Sequence, residues 1–233
     1  MYIFVVGDRG DGKSLTAARF ACESKKAVTN FPVFKDHVER LKVKDVFHDY
    51  DPEAKAQKDR WRVNWDYWEL KRGYSVFIDE AYMQFENRSP HDVKNRIWNS
   101  WGAQSRKFLG NQGKASNLQL IFRLPNNLFN VVMPRYINSL SNFWMLSQTV
   151  RRVDVNQREL VNVLISCNQI SLNNNDVTVN ECWYGDKFCD AIDKMMSGVK
   201  PKTFFTENKK FYGLYDTNYF SREVDIKNGE AYL

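Results

Sequence analysis

The sequence predicts an α/β fold in which a mostly parallel central sheet is flanked by helices. Two apolar runs, Tyr2–Val6 and residues 74–78, have the pattern of strands that are buried on both faces of a parallel sheet. The glycine-rich residues 7–14 follow the first run and lead into a helical pattern, and two carboxylates, Asp79 and Glu80, follow the second. A strand, a glycine-rich loop and a helix in this order form a setting in which proteins bind phosphate groups.

The first half of the chain continues the alternation of strands and helices. A helix is predicted over residues 14–23, a second strand over residues 27–31 and a further helix over residues 35–44. The densely charged residues 49–62 show little apolar periodicity, which indicates a solvated excursion from the core. Three tryptophans recur at about one helical turn in a segment that ends at Gly73: Trp61, Trp65 and Trp68.

The second half predicts further elements around the same core. A helix is predicted over residues 93–108, with strands over residues 118–122 and 143–146. Alternating polarity on the two sides of Asn173-Asn174-Asn175 predicts a β-hairpin, residues 160–172 and 177–183, outside the main sheet. The remaining predictions are a helix over residues 187–196, ended by Gly198, and a tail over residues 200–233 without a clear element.

Length and composition favour a single domain. The chain has 233 residues, 43% of them hydrophobic, which suffices for one sizeable core and is short for two. Residues 1–150 are therefore interpreted as the core, and residues 151–233 as a hairpin, helix and tail that complete the same domain. The net charge of +6 suits a polyanionic partner such as nucleic acid.

The sequence predicts neither a zinc site nor a membrane-spanning helix. The cysteines lack the spacing of a zinc site, and reduced thiols are expected at all four: Cys22, Cys167, Cys182 and Cys189. No apolar stretch reaches the roughly 20 residues that a membrane-spanning helix needs. The chain is therefore expected to be soluble.

The glycine-rich segment matches the pattern G-x-x-x-x-G-K-[ST] in full. Glycines let the backbone N–H groups wrap around a phosphate, and the start of the following helix adds its dipole. Lys13 is expected to reach the β- and γ-phosphates, and Ser14 to bind Mg²⁺. The alternative is a glycine-rich turn without a ligand. The predicted nucleotide-binding residues are the loop and the residue after it: Gly7, Asp8, Arg9, Gly10, Asp11, Gly12, Lys13, Ser14 and Leu15.

Two carboxylates at the end of a buried strand require a compensating partner. Asp79 is predicted to hold Mg²⁺ next to Ser14, while Glu80 polarises the attacking water and acts with Lys13 in catalysis. The alternative is that both acids cap a following helix. Loop and acids together predict a P-loop nucleoside triphosphatase of the ASCE or RecA-like type, with ATP and Mg²⁺ as its ligands.

Hydrolysis also requires a positive charge near the γ-phosphate, which an arginine often supplies. Arg106 and Arg123 are the best placed in chain order and are the predicted catalytic arginines. Arg88 and Arg135 follow as further candidates. A solvated or DNA-facing role is the alternative for each of them.

Several blocks of the sequence are similar to those of one known group. They are residues 7–14, Val28-Thr29-Asn30-Phe31-Pro32, Ile78-Asp79-Glu80-Ala81, Ser105-Arg106-Lys107 with the later residues 120–125, and the triplet Tyr215-Asp216-Thr217. Together they resemble the FtsK/HerA-type ATPases, in particular the zonula-occludens-toxin-like branch with its filamentous-phage assembly proteins and viral genome-packaging ATPases. The resemblance favours Arg106 as the arginine finger, and it aligns the family's sensor glutamine with Arg123.

The resemblance implies a ring, usually a hexamer, that threads double-stranded DNA through a basic channel while ATP is hydrolysed between subunits. DNA contact is expected to be nonspecific and salt-dependent. A viral capsid or membrane protein is a further expected partner, and the expected location is the host cytoplasm, including the virion or its assembly site. Candidate phosphate contacts lie in two basic segments: Lys55, Lys58, Arg60 and Arg62, and residues 107–114.

Three functions follow from these patterns. The leading one is an ATP-driven DNA translocase that packages a viral or mobile-element genome. The runner-up is a virion-assembly or export ATPase that moves protein or nucleoprotein with a membrane partner, and its ATPase activity would be indifferent to DNA. The third is a nucleotide switch or kinase-like enzyme. Glu80 argues against the third, because a water-activating acid favours hydrolysis over phosphate transfer.

Overall fold

A computed structural model describes residues 1–49, 53, 55, 61–84, 93–109, 115–172, 175–185 and 190–215. The strands are β1 (Tyr2–Val6), β2 (Ala27–Thr29), β3 (Val38–Arg40), β4 (Phe47–Asp49), β5 (Trp61–Val63), β6 (Ser75–Ile78), β7 (Phe143–Ser147), β8 (Val163–Leu172), β9 (Asn175–Tyr184) and β10 (Lys202–Glu207). The helices are α1 (Lys13–Glu23), α2 (Val43–Val46), α3 (Trp65–Leu70), α4 (Val93–Gln104), α5 (Ala115–Arg123), α6 (Asn126–Asn138), α7 (Val155–Arg158) and α8 (Asp190–Met196).

The main sheet confirms the predicted architecture. Its order is β10-β9-β8-β1-β7-β6-β2-β3, and the neighbours from β8 through β3 are parallel, whereas β9 and β10 pair antiparallel. β4 and β5 form a separate antiparallel pair. β7 lies between β1 and β6, so one strand separates the glycine loop from the acid pair. The sheet is therefore mostly parallel, as expected of a P-loop fold of the ASCE type.

The parallel strands are buried because both faces of the sheet are covered. All residues of β1, β6 and β7 are buried, which explains their continuous apolar runs. Alternate residues of β1 enter different cores: Phe4 faces one cluster and Ile3 the other. The first core contains three fully buried tryptophans of α3 and α4: Trp68, Trp98 and Trp101. These indoles pack in the core, so they are not available for stacking on bases.

Two element predictions in the first 125 residues are wrong. Residues 35–44 form β3 and the short α2 rather than one helix. Residues 118–122 belong to α5 rather than to a strand. In α5, Leu118 and Ile121 are buried while Leu120 is 61% exposed, so the burial follows a helical spacing. A short apolar run does not by itself distinguish a buried strand from a helix.

The predicted hairpin exists as β8 and β9, but its predicted position is wrong. It belongs to the main sheet, because β8 pairs with β1 in parallel through the register Ile3↔Val163. The first residues of β8 are buried apolar residues, as expected of an interior strand, whereas later residues such as Asn168 and Gln169 are exposed. The tail also contains an element: β10 forms the edge of the sheet and buries Phe204 and Thr206.

Several other predicted elements agree with the structure. The described elements α1, β2, α4 and β7 lie where they were predicted, with shifted ends. Gly198 follows the end of α8 as predicted: its N–H donates to the Met195 carbonyl at 3.1 Å, while the Val199 N–H donates to the Lys194 carbonyl at 2.9 Å. This is the Schellman pattern that a glycine with positive φ permits. Among the described helices, none is long and apolar enough to cross a membrane.

Candidate nucleotide-binding site

The glycine-rich loop joins β1 to the first turn of α1, as its motif predicts. Gly12 immediately precedes α1 with φ of 85°, a conformation that side chains rarely adopt. A Cβ at this position would lie 2.3 Å from Oγ1 of Thr178 on β9. The hairpin strand therefore packs directly against the loop, a contact that the sequence does not predict.

Hydrogen bonds within the loop hold its shape. The Asp8 N–H donates to Oδ2 of Asp11 at 2.6 Å, and the Asp11 N–H donates to the Asp8 carbonyl at 3.2 Å. Nζ of Lys13 donates to the same carbonyl at 2.8 Å, and the Lys13 residue is only 7% exposed. Arg9 and Gly10 at the tip are exposed. The lysine charge thus lies over the loop, where a phosphate group would be bound.

The predicted metal ligands lie in contact. Oγ of Ser14 donates to Oδ2 of Asp79 at 2.6 Å, although the two residues are 65 positions apart in the chain. Asp79 follows β6 directly and is 4% exposed, and its Oδ1 accepts from the Glu80 N–H at 2.8 Å. Hydroxyl and carboxylate oxygens are the hard ligands that Mg²⁺ prefers. The side chains of Ser14 and Asp79 therefore fit the predicted magnesium site.

Asn30 fixes the backbone of the acid pair. It follows β2, the neighbour of β6, and is fully buried. The Asp79 N–H donates to Oδ1 of Asn30 at 2.7 Å, and Nδ2 of Asn30 donates to the Asp79 carbonyl at 2.9 Å. Asn30 belongs to the block Val28-Thr29-Asn30-Phe31-Pro32 that contributes to the family resemblance, but the sequence alone assigns it no role. A buried asparagine between an apolar strand and a proline is the signal that could have identified it.

Glu80 has an unusual backbone and an unusual environment. Its φ of 47° makes it the one non-glycine residue with positive φ among the described residues. Burial, and then the charge of Asp79, raise the pKa of its carboxyl group, whereas Lys13, a hydrogen bond from Tyr82 and the charge of Arg152 act in the opposite direction. Its Oε2 atom is buried and accepts no hydrogen bond within the described part of the chain. These are properties expected of a carboxylate that orients water.

The strand between the loop and the acids ends in polar residues. β7 is aligned with β1 through Val6↔Ser147, and Gln148 follows Ser147 directly. Gln148 thus lies at the end of the strand beside the acid strand. The position that the resemblance aligns with the family's sensor is not at the end of a strand, because Arg123 ends the helix α5 and is exposed. An apolar strand followed by Ser-Gln is the local signal that was missed.

The other predicted arginines are not all described. Arg106 lies in the 3-10 turn Ser105–Lys107 after α4, and its side chain is outside the described part. Arg135 is exposed on α6. The described cations whose charge acts on Glu80 are Lys13 and Arg152, and neither Arg123 nor Arg135 is among them. Of the candidate DNA contacts, Lys55, Arg62 and Lys107 are exposed. The predictions at the following residues lie outside the described ones: Lys58, Arg60, Arg88, residues 110–114, Asp216 and Thr217.

Comparisons with known proteins give matches in structure. No model of a known protein family matches the sequence, and no curated protein matches it. The N-terminal domain of zonular occludens toxin from Neisseria meningitidis is similar over 92% of this chain and 98% of that chain, with 17% identity and a TM-score of 0.42. The genome packaging NTPase B204 from Sulfolobus turreted icosahedral virus 2, in complex with AMP, is similar over 90% and 93%, with 10% identity and a TM-score of 0.35.

Proposed function

We propose that this chain is a Mg²⁺-dependent ATPase. One observation carries the proposal: the hydroxyl of Ser14, on the loop helix, touches the carboxylate of Asp79 beside Glu80. A phosphate-binding loop and a metal-binding acid at this distance are arranged to bind a nucleoside triphosphate with its cation. The acid that follows supplies the group for hydrolysis.

Each residue of the site has a role that its geometry supports. The loop N–H groups and Lys13 would bind the phosphates of ATP, and Ser14 and Asp79 would hold the metal. When bound, Mg²⁺ neutralises charge on the β- and γ-phosphate oxygens. Glu80 would accept a hydrogen bond from the attacking water through its Oε2 atom, which has no hydrogen-bond partner among the described residues. Gln148, which follows β7, would contact the phosphate groups of ATP.

We further propose that the energy of hydrolysis drives movement of double-stranded DNA by a ring of such subunits, most simply to package a viral genome in the host cytoplasm. The support is the resemblance of the sequence blocks, together with the net charge of +6. The exposed Arg62 and Lys107 are candidate contacts to DNA phosphates. DNA binding of this kind is nonspecific and weakens with salt.

The test is ATP hydrolysis by the purified protein, with and without linear double-stranded DNA, at low and moderate salt. Lys13→Ala and Glu80→Gln should abolish hydrolysis, while Lys25→Ala, which removes an exposed lysine just after α1, should not. Stimulation by DNA that fades with salt supports the translocase. An equal rate of ATP hydrolysis with and without DNA favours the virion-assembly ATPase instead. If the wild-type protein does not hydrolyse ATP, the proposed ATPase activity is contradicted.

A further inference from the structure

A network of buried polar side chains lies behind the first turn of α1. At its centre is Asn180 on β9, which is fully buried, as are its partners Thr16 on α1 and Thr206 on β10. Oγ1 of Thr16 donates to Oδ1 of Asn180 at 2.9 Å, although the two residues are 164 positions apart in the chain. Nδ2 of Asn180 donates to Oγ1 of Thr206 at 3.1 Å. The network therefore joins the helix that follows the glycine loop to two strands near the end of the chain.

The surroundings of the Asn180 amide fix its orientation. Its Nδ2 atom also lies 3.2 Å from the Thr178 carbonyl oxygen and 3.4 Å from that of Phe204, and only the NH₂ end of an amide can donate to carbonyl oxygens. Its Oδ1 atom therefore faces α1, where it also accepts from Sγ of Cys167 at 3.3 Å. Both ends of the amide have partners, and a fully hydrogen-bonded buried network specifies one geometry.

The strand β9 contacts the first turn of α1 at two points. The Thr16 N–H donates to the Gly12 carbonyl at 2.8 Å, so the residue that Asn180 holds also closes this turn. Thr178 lies two residues before Asn180 on the same face of β9, and its hydroxyl lies directly against Gly12. Two contacts from one strand fix the direction of the helix end as well as its position. They therefore also aim the free N–H groups at the start of α1.

Hydrogen bonds are an unexpected way to attach this helix, because the rest of its buried face is apolar. Ala17, Ala18 and Phe20 of α1 pack in one core with Phe204 of β10. Apolar groups of the same shape can replace a buried hydrogen-bonded pair at little cost in stability. A hydrogen bond differs from apolar packing in that it prescribes a direction. Direction is what the N–H groups of a phosphate-binding helix end require, since they must point at the phosphate oxygens.

We propose that Asn180 and Thr16 are positioning residues for the phosphate loop. Asn180 holds the first turn of α1 through the Thr16 hydroxyl, so that the backbone N–H groups of Lys13 and Ser14 point at the phosphates of ATP. The hairpin β8–β9 is in this way part of the nucleotide site as well as of the sheet. The inference rests on the nucleotide-binding step of the proposed ATPase and assigns two further residues to it.

The test is equilibrium binding of a fluorescent ATP analogue in the presence of Mg²⁺. Thr16→Val keeps the shape of the side chain but removes the hydroxyl, and it should weaken binding by about tenfold, because the first turn loses its hydrogen bond to β9. Thr16→Ser keeps the hydroxyl and should stay within about threefold of the wild type. Thr206→Val is the matched control. It removes a buried hydroxyl of the same network whose partners are Asn180 and Arg19, a residue in the second half of α1, and it should also stay within about threefold.

A double-mutant cycle with Asn180→Ala shows whether the two residues act together. If Asn180 acts through Thr16, adding Thr16→Val to Asn180→Ala should weaken binding little further. Wild-type affinity in Thr16→Val, an equal loss in Thr206→Val, or additive losses in the cycle would each overturn the inference. All variants are compared below their melting temperatures. If Asn180→Ala does not fold, the comparison of Thr16→Val with Thr16→Ser and Thr206→Val decides the question.

Binding is measured without hydrolysis, so the failure of this inference and that of the ATPase are distinguishable. A wild type that binds the analogue no better than Lys13→Ala would refute the nucleotide site itself, and with it the inference. A wild type that binds the analogue but does not hydrolyse ATP would contradict the ATPase alone, and the same binding comparison would still decide the roles of Thr16 and Asn180.

Discussion

Asn30 and Asp79 exchange two hydrogen bonds between the ends of neighbouring parallel strands, at 2.7 Å and 2.9 Å. The pair holds the main chain of Asp79, the proposed metal ligand, so Asn30 helps to direct the Asp79 carboxylate at Ser14 through the backbone of this acid. Replacing Asn30 therefore tests whether the Asp79 carboxylate can be placed correctly without the hydrogen bonds that hold its backbone.

We expect Asn30→Ala to lower the free energy of unfolding by about 2–3 kcal/mol, because it leaves a buried N–H and a buried carbonyl without partners. ATP turnover should fall further than the loss of folded protein explains. Urea unfolding and hydrolysis at a temperature where the variant is folded measure the two effects. Asn168→Ala, at an exposed position of β8, is the control. An unchanged turnover per folded molecule would contradict the role given to Asn30.

Gly12→Ala should prevent nucleotide binding. The added Cβ would require a left-handed backbone that costs about 1–2 kcal/mol, and it would lie 2.3 Å from the Thr178 hydroxyl oxygen. Gly10→Ala is the matched comparison, since its φ is 95° but no atom lies within 4 Å of its added Cβ. Binding of a fluorescent ATP analogue should be lost in the first variant and weakened less in the second. Equal losses would mean that backbone strain alone, and not β9, constrains the loop.

Gln148→Ala should lower turnover by about tenfold or more, because it removes a polar side chain at the end of the strand between the loop and the acids. Arg123→Ala should stay within about twofold of the wild type, since surface changes away from a site have small effects. Steady-state hydrolysis at saturating ATP compares the two variants directly. A severe loss in Arg123→Ala would show that this exposed arginine reaches the site of a neighbouring subunit.

Cys167 should resist alkylation in the folded protein. Burial raises the pKa of its thiol to about 12, which leaves a thiolate fraction of about 10⁻⁴ at pH 8. Cys22 is partly exposed and should react with iodoacetamide before Cys167 does, as peptide mass spectrometry can measure. In urea both should react at similar rates. Rapid modification of Cys167 without denaturant would show that β8 opens behind the loop.

Sequence reasoning identified the parts of the site that are encoded locally. A short motif next to a continuous apolar run contains each of these parts: the glycine loop, Lys13, Ser14 and the two acids. A continuous apolar run indicates a buried element, so the position of each motif could be predicted. The apolar residues 118–122 show the limit of the same rule, because a run of that length suits a buried helix face as well as a strand.

The missed residues depend on strand order, which one sequence does not specify. Asn30 is placed at Asp79 because β2 pairs with β6, and Gln148 reaches the site because β7 lies between β1 and β6. Thr178 meets Gly12 because the hairpin joins the main sheet. A local pattern can mark such a residue as unusual, but it does not show which distant part of the chain the residue will meet.

The position of β1 also determines when the loop can take shape. β1 pairs on one side with Phe143–Ser147 and on the other with Val163–Leu172, which both lie far later in the chain. Until most of the chain has been synthesised, this apolar segment has neither neighbour, and Gly12 lacks the Thr178 side chain behind it. Such distant pairings make folding slow and leave apolar surface open to aggregation in the meantime. The glycine-rich loop at the end of β1 can therefore take its final shape only after strands from the second half of the chain have paired with β1.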